Sequence, residues 1–592
     1  MLRPNLICLA LFTVSAAGTL SAQAPDPGIP IDDQLTINKC GGCHPRDSAG
    51  MMRRLSYMRT TPEVWEESIK RMIRLNGVAL KPEEAREIVK YLSKNNGLAP
   101  EEDKPVFWEA EHRMFRDQSD KIPDDALQHT CNYCHTIGRV LSQRRTRDDY
   151  EKLINMHLGL FPGAENTLHP RHTNNRNEEK MPVNLSAPTG QNPFVVPPTP
   201  DVYNRHDGRS PGEVAVDYLA KAQPLMTPEW TAWKAVMHTP KLEGKWLLTG
   251  YEQGKGRVFG TVTIEAGSGT DEFVTKTEIE YATSGITLSR SGKAVVYSGY
   301  SWRGRSTGAD LPASVDPITT PKEWREALFV SRDGNTMNGR WFWGGYQELG
   351  IDAHLARIGT APMLAGLSTF AIQSPSSTEV RVYGANIPAD LKASDFDFGS
   401  GVSVKRIVKR TPSMATLEVQ ADAKLTPGIR DVSMGRVTAE RAYAVYDKIA
   451  YIKVTPDASM ARLGGGIALK QYAQFEAVAY AAGADGKAQT ADDIPLGPIA
   501  ARWSLEEFVS TPGDDDVKYV GAINDSGLFT PNLEGPNPAR KKAANNYPTN
   551  NWGDVWVVAN FDGAGGQPMK ARSYLVVTVP SYIRYDQPEV GQ

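Results

Sequence analysis

The spacing of apolar positions divides the chain near residue 230. Before that point apolar side chains recur with a helical period; Trp65, Ile69 and Met72, for example, follow one another at i, i+4 and i+7. After it, stretches such as "EFVTKTEIEYAT" alternate apolar and polar residues between Gly, Asn and Asp. The first pattern is typical of amphipathic helices and the second of antiparallel strands. We therefore expect a multidomain protein, with an N-terminal all-α domain followed by all-β domains.

The helical region contains an internal repeat. The stretches "RTTPEVWEESIKRMIRLNG" and "RRTRDDYEKLINMHLGLFPG" align when Thr61 is placed on Thr146. The aligned pairs are then Trp65 and Tyr150, Ile69 and Ile154, and Met72 and His157. A later pair, "KPEEAREIVKYLSKNNGL" and "SPGEVAVDYLAKAQPL", predicts a terminal amphipathic helix in each copy. The domain at 25–229 is thus predicted to hold two similar units, 25–105 and 120–229, and a Pro- and Asn-rich loop insertion at 163–209.

The alternating region is expected to form three domains. Residues 230–361 read as a meander of strands closed into an antiparallel barrel, followed by an immunoglobulin-like sandwich at 362–447 and a second sandwich at 448–592. Four barrel tryptophans are predicted to pack in a core rather than to form a binding site: Trp246, Trp302, Trp341 and Trp343. Asp485, Asp492 and Asp493 lie near a Gly, but their spacing fits no EF-hand, and turn formation is favoured over calcium binding.

Composition and the first residues restrict the class of protein. The 592 residues are too many for one core, and 66 Lys and Arg against 69 Asp and Glu give no basic surface for nucleic acid. A mean hydropathy of −0.41 argues against an integral membrane protein. Residues 1–24 read as a secretory signal peptide, with cleavage after Ala22 or Ala24, and an uncleaved anchor is the alternative. We expect the protein in the periplasm.

The cysteines carry the clearest chemical signal. One of the five lies in the signal segment, and the other four form two Cys-x-x-Cys-His motifs, at Cys40, Cys43 and His44 and at Cys131, Cys134 and His135. Two thiols at this spacing attach covalently to a c-type haem, and the following histidine is its proximal iron ligand. A thioredoxin-like pair would lack the histidine, and structural zinc would need further ligands nearby. We therefore predict two covalently bound haems.

The repeat also predicts the sixth ligands of the two irons. Met72 and His157 are aligned with each other in the two copies of the repeat helix. One haem is therefore expected to be ligated by His44 and Met72, and the other by His135 and His157. A core methionine and a surface histidine are the alternative, and the reserve ligands are Met58, His112, Met114, His129 and Met156. Thioether ligation raises a haem's reduction potential relative to two imidazoles. The first haem is thus expected to have the higher potential.

The two motifs, the stretches "EIVKYLSKNNGLAPEE" and "NMHLGLFPG", and the order of domains resemble the alpha subunit of quinohemoprotein amine dehydrogenase. The resemblance covers the chain beyond its signal segment and departs at the long 163–209 insertion. It implies an electron-transfer subunit without substrate chemistry of its own. Its implied partners are a propeller-forming beta subunit and a gamma subunit whose cysteine tryptophylquinone oxidises primary amines. A small periplasmic blue copper protein or cytochrome c would be the electron acceptor.

Two other functions compatible with the motifs stay open at this point. The chain could be a haem relay for a different exported dehydrogenase, or a dihaem peroxidase that acts alone. A peroxidase needs a displaceable sixth ligand at one iron, whereas filled Met72 and His157 positions predict low-spin spectra at both.

Overall fold

A computed structural model describes most of the chain. The described residues are 27–103, 127, 130–131, 138–161, 163–168, 209–308, 316–510, 513–541, 548–563 and 566–580. The predicted signal peptide, Cys134, His135 and most of the 163–209 insertion lie outside them, as do the reserve ligands His112, Met114 and His129. No helix among the described residues is both long and apolar enough to cross a membrane.

The described part of the N-terminal region is mainly helical. Its helices are α1 (Gln34–Cys40), α2 (Pro62–Asn76), α3 (Pro82–Asn95), α4 (Gly138–Leu141), α5 (Arg147–Leu160), α6 (Ala164–Leu168), α7 (Pro211–Ala222) and α8 (Pro228–Val236). The two repeat helices begin at matching residues: Thr61 precedes α2, and Thr146 precedes α5 and accepts a hydrogen bond from the Asp149 N–H. The repeat alignment thus corresponds to two helices with the same starting point.

A short antiparallel ladder joins the two units, so the N-terminal domain is not purely helical as predicted. β1 (Met58–Thr60) pairs with β2 (Gln143–Arg145), with Arg59 opposite Arg144. Each strand leads directly into a repeat helix, and the ladder therefore brings α2 and α5 together. Strands of three residues give no detectable alternation, which is why the sequence pattern did not reveal them.

The predicted antiparallel barrel is confirmed. Its eight strands are β3 (Gly244–Glu252), β4 (Gly256–Ala266), β5 (Glu272–Tyr281), β6 (Thr287–Tyr297), β7 (Ser301–Gly308), β8 (Glu323–Val330), β9 (Thr336–Trp343) and β10 (Leu349–Arg357). They close in the order β10-β3-β4-β5-β6-β7-β8-β9. Inward-facing side chains fill the barrel, and the four tryptophans assigned to the core, Trp246, Trp302, Trp341 and Trp343, are all buried in it.

Two four-stranded sheets follow the barrel and enclose one core. The strands are β11 (Met363–Leu367), β12 (Ala371–Gln373), β13 (Ser376–Ala385), β14 (Phe396–Asp397), β15 (Val402–Arg410), β16 (Met414–Ala421), β17 (Gly428–Met434) and β18 (Val437–Tyr446). The first sheet has the order β11-β13-β16-β15 and the second β12-β18-β17-β14. Two sheets over one core make a β-sandwich. Its immunoglobulin-like topology stays a prediction.

The C-terminal region is also built from strands, but four separate sheets are described there, so a plain two-sheet sandwich does not describe it. The strands are β19 (Tyr451–Thr455), β20 (Ala458–Arg462), β21 (Ala473–Gln474), β22 (Glu476–Ala481), β23 (Ile494–Ile499), β24 (Arg502–Glu507), β25 (Gly521–Ile523), β26 (Leu528–Pro531), β27 (Asn537–Lys541), β28 (Pro548–Thr549), β29 (Gly553–Asp562) and β30 (Pro568–Thr578). The largest of these sheets has the strand order β20-β30-β29-β24, with β20 parallel to β30.

Helix α8 connects the helical region to the barrel. The Arg59 guanidinium lies over the Trp230 ring at 4.7 Å from its centroid, and Trp233 packs edge-on against Tyr300 with ring centroids 5.6 Å apart. Both tryptophans are buried. The boundary predicted between residues 229 and 230 therefore falls inside a helix that contacts both neighbouring domains, because the sequence pattern marks the change of period and not the packing.

Buried polar contacts hold the helical region against the barrel. Arg303 of β7 forms an ion pair with Glu63 of α2, and neither side chain has any solvent exposure. The Ser298 hydroxyl donates to the Ser93 carbonyl at 2.7 Å, and its own carbonyl accepts from the Trp233 indole N–H at 2.9 Å. The first repeat unit is thus fixed on the outside of the barrel.

Candidate haem sites

The first Cys-x-x-Cys-His motif continues the last turn of α1. Asp33 caps the start of this helix by accepting from the Thr36 N–H at 2.7 Å. At its end the Cys40 carbonyl accepts hydrogen bonds from the N–H groups of both Cys43, at 3.2 Å, and His44, at 2.9 Å. The backbone is therefore wound so that two thiols and an imidazole follow each other within one turn.

The His44 ring is oriented by the backbone. Its Nδ1 lies 3.0 Å from the Arg53 carbonyl oxygen. Because a carbonyl only accepts, Nδ1 carries the proton and Nε2 keeps its lone pair. Burial lowers the pKa of His44 below its ordinary value, so the ring is neutral near pH 7. A neutral imidazole with a donating Nδ1 and an open Nε2 is the form in which histidine binds iron.

Cys40, Cys43, His44 and Met72 share one cavity of about 450 Å³. Most of the remaining wall is apolar, with contributions from Leu55, Trp65, Ile69, Val78, Leu80, Ile88 and Leu92. Covalent attachment points, one nitrogen donor and one sulfur donor around an apolar space are what a c-type haem requires. The residues present therefore fit a haem at this position.

Side chains of the second unit complete the wall of this cavity, which the sequence did not indicate. They are Arg145, Lys152, Leu153 and Met156, and all but Arg145 come from α5. Met58 and Met156, two of the reserve ligands, line the cavity together with Met72. The β1–β2 ladder brings α5 here, and contacts between separate units leave no periodic signal in a sequence.

His157 resembles His44 in its local geometry. Its Nδ1 lies 2.8 Å from the Leu153 carbonyl oxygen, so Nε2 is again the nitrogen left with a lone pair. Burial lowers the pKa of His157 as well. The Phe161 ring lies beside the imidazole, with centroids 5.5 Å apart. The ring is therefore neutral and held in a fixed direction.

The second haem motif is described only at its first residue. Cys131 packs with the buried cluster that contains Leu127, Tyr150 and Leu219, and its sulfur accepts from the Thr130 hydroxyl at 3.5 Å. Cys134 and His135 lie outside the described residues. The contact between His157 and the second haem therefore stays a prediction.

The three aspartates considered for calcium form a turn. The Asp492 carboxylate accepts from the Asp485 N–H at 3.2 Å and from the Thr490 hydroxyl at 2.8 Å, and the Asp493 carboxylate accepts from the Tyr451 hydroxyl at 2.7 Å. Within the described ranges, no group of three or more His, Cys, Asp or Glu side chains is placed to hold a metal ion.

Comparison with solved structures adds little. A redesigned β-barrel covers 20% of this chain and 92% of its own, at 13% identity and a TM-score of 0.16. A de novo designed fluorescence-activating β-barrel covers 20% and 93%, at 15% identity and a TM-score of 0.15. A protein of the Bacteroides ovatus mixed-linkage glucan utilization locus, in complex with a heptasaccharide, covers 56% and 60%, at 11% identity and a TM-score of 0.16. At these TM-scores the similarities support no conclusion. No curated protein matches the chain.

Family models give a consistent result along the chain. The haem-binding model of the quinohemoprotein amine dehydrogenase alpha subunit matches residues 31–178. The models of domains II, III and IV of the same subunit match residues 239–358, 367–447 and 452–590. The order of the four matches is the order of the helical region, the barrel, the sandwich and the C-terminal module. The chain belongs to the quinohemoprotein amine dehydrogenase alpha subunit family.

Proposed function

We propose that this chain is the electron-transfer subunit of a periplasmic amine dehydrogenase. It would carry two covalently bound c-type haems, attached at Cys40 and Cys43 and at Cys131 and Cys134, with His44 and His135 as proximal ligands and Met72 and His157 as sixth ligands. The observation that carries the proposal is the single apolar cavity that Cys40, Cys43, His44 and Met72 line together.

The bound haems would supply one-electron redox chemistry that no amino-acid side chain in the site provides. The chain's own residues set the conditions. Backbone carbonyls orient the rings of His44 and His157, burial lowers the pKa of both, and most of the wall of the first cavity is apolar. A thioether from Met72 gives the first site the higher potential, so electrons would move from the second site to the first.

The other participants follow from the family. An alpha subunit implies further subunits, and we propose a propeller-forming beta subunit and a gamma subunit whose cysteine tryptophylquinone oxidises a primary amine. Electrons from that quinone would leave through a small blue copper protein or cytochrome c. Substrate oxidation is thus assigned to the partner subunit and electron transfer to this chain.

Replacement of Met72 by His tests the site assignment. Spectroelectrochemical titration of the purified holoprotein should show one midpoint potential falling, because a second imidazole stabilises ferric iron relative to a thioether. Met58→Leu and Met156→Leu serve as matched controls, since both methionines line the same cavity and should leave the two midpoints in place. Unchanged midpoints in Met72→His would exclude Met72 as the ligand.

The amine dehydrogenase assignment needs a separate test. We expect a quinone-bearing chain to co-purify with this subunit, and a primary amine added to that complex to reduce the haems. Rapid turnover with hydrogen peroxide and a high-spin ferric spectrum would instead support a dihaem peroxidase. Reduction by a different class of substrate would support a haem relay for another dehydrogenase.

A further inference from the structure

We propose that Asn76 is a positioning residue for the Met72 thioether and that its side-chain amide raises the reduction potential of the first haem. This inference rests on the proposed function, because it takes Met72 as the sixth ligand. Asn76 lies one helical turn after Met72, and it would be a second residue that contributes to the difference in reduction potential between the two sites.

The contact lies at the end of α2. The Asn76 Nδ2 donates to the Met72 sulfur over 3.7 Å, across an i, i+4 spacing, and Asn76 lines the same cavity as Met72. A thioether sulfur has two lone pairs and is a weak acceptor. One lone pair can therefore bind iron while the other receives the amide N–H.

Backbone hydrogen bonds at the end of α2 also hold the main chain of Met72. Gly77 ends α2 in a left-handed conformation, with φ of 68°, and its N–H donates to the Met72 carbonyl. The Val78 N–H donates to that carbonyl as well, at 3.2 Å. These bonds are typical of a helix that ends with a glycine cap. Three consecutive residues thus fix both the main chain and the sulfur of Met72.

The second unit differs at the equivalent position. In the repeat register Asn76 corresponds to Phe161, just as Met72 corresponds to His157. Phe161 contacts the His157 ring with centroids 5.5 Å apart but has no side-chain donor. Each proposed ligand is therefore contacted by the residue four positions later, and of these two residues Asn76 has a side-chain donor and Phe161 has none.

The amide should favour the reduced haem. A donor on the sulfur withdraws electron density that the sulfur would otherwise give to the iron, and ferric iron depends on that density more than ferrous iron does. Hydrogen bonds to an axial ligand are one of the means by which a protein sets a haem potential. Removal of the donor should lower the potential and strengthen the bond between the sulfur and ferric iron.

Asn76→Leu tests the inference in the holoprotein, because leucine has nearly the size of asparagine but no donor. We expect the midpoint of the methionine-ligated haem to fall and its sulfur-to-iron charge-transfer band to shift. Imidazole titration of the ferric protein should show about twofold weaker binding at that iron, because the sulfur loses only a weak hydrogen bond and then binds ferric iron more tightly.

Two variants serve as controls. Asn155→Leu makes the same change at an exposed position of α5 that is not part of the cavity wall, and Phe161→Leu changes the equivalent position of the second unit. Neither should alter the first midpoint. If Asn76→Leu leaves the midpoint, band and imidazole affinity unchanged while Met72→Ala alters them, the inference is wrong and the ligand assignment stands. If Met72→Ala alters none of them, the ligand assignment itself fails.

Discussion

The ion pair between Glu63 and Arg303 is the contact whose loss should most affect how the haem unit is held on the barrel. Glu63→Gln keeps the shape of the side chain and removes its charge. The Arg303 guanidinium would then stay buried with its bonds to the Ser301 hydroxyl, at 2.9 Å, and the Trp302 carbonyl, at 3.1 Å, but without its carboxylate.

The expected cost follows from burial. Neither side chain of the pair has solvent exposure, so water cannot replace the lost partner. Removal of one member of a buried pair costs about 3–5 kcal/mol. Asp103 also lies close enough to interact with the Arg303 charge. Because this second carboxyl compensates in part, we expect a value near the lower end, about 3 kcal/mol.

Urea unfolding of the holoprotein measures this cost. Tryptophan fluorescence reports on the barrel core and Soret absorbance on the haem unit, and we expect both transitions to move to lower urea. Glu418→Gln is the matched control: its pair with Arg406 is solvent-exposed and should contribute at most about 1 kcal/mol.

A double variant makes the reasoning refutable. Glu63→Leu combined with Arg303→Met removes both charges and should recover most of the lost stability, since two apolar side chains tolerate burial without a partner. If Glu63→Gln costs no more than Glu418→Gln, or if the double variant is less stable than the single one, the pair is not the buried charge contact inferred from the structure.

Three further predictions concern the same domains. Burial raises the pKa of Asp103 to about 7, above its value in the unfolded chain, so its contribution to stability is present near pH 4 and is lost as the pH rises to 7. Asp103→Asn should therefore weaken the decline in unfolding free energy measured between these pH values, and an unchanged decline would refute this. Gly97→Ala should destabilise the protein by about 1–3 kcal/mol in urea unfolding, because a Cβ would lie 2.0 Å from the Ser93 carbonyl oxygen; a neutral effect would contradict this close approach. Trp246→Ala should lower the barrel's unfolding free energy by about 3–5 kcal/mol, and a cost under about 1 kcal/mol would contradict its place in the core.

Much of the architecture was predictable because it depends on local periodicity. The helical period around Trp65 and Ile69 predicts α2, and the alternation in "EFVTKTEIEYAT" predicts β5 of the barrel. The repeat register was equally accessible, since Thr61 and Thr146 mark matching helix starts. Short strands such as β1 were not predictable, because three residues show no period. The division of the C-terminal region into several sheets was not predictable either.

In the candidate site, too, some features were predictable from the sequence and others depend on the fold. Cys40, Cys43 and His44 form a contiguous motif, so the sequence alone indicates their chemistry. That Met72 shares their cavity, and that Met156 of the other unit does too, depends on the fold. In the sequence Met156 is one of several methionines and histidines that could serve as a reserve ligand, and no sequence feature favours any of them for the first site.

By itself, the sequence determined which longer segments are helices or strands and which positions correspond between the two units, and it predicts which residues hold haem. These properties are local: they depend on residue type and on spacings of a few positions. Only the tertiary structure decided that α5 closes the first haem cavity, that Asn76 reaches the Met72 sulfur, and that Arg303 of the barrel pairs with Glu63. Contacts between distant segments arise from how helices and sheets pack, and packing depends on the shape and volume of whole surfaces, which no spacing along the chain encodes.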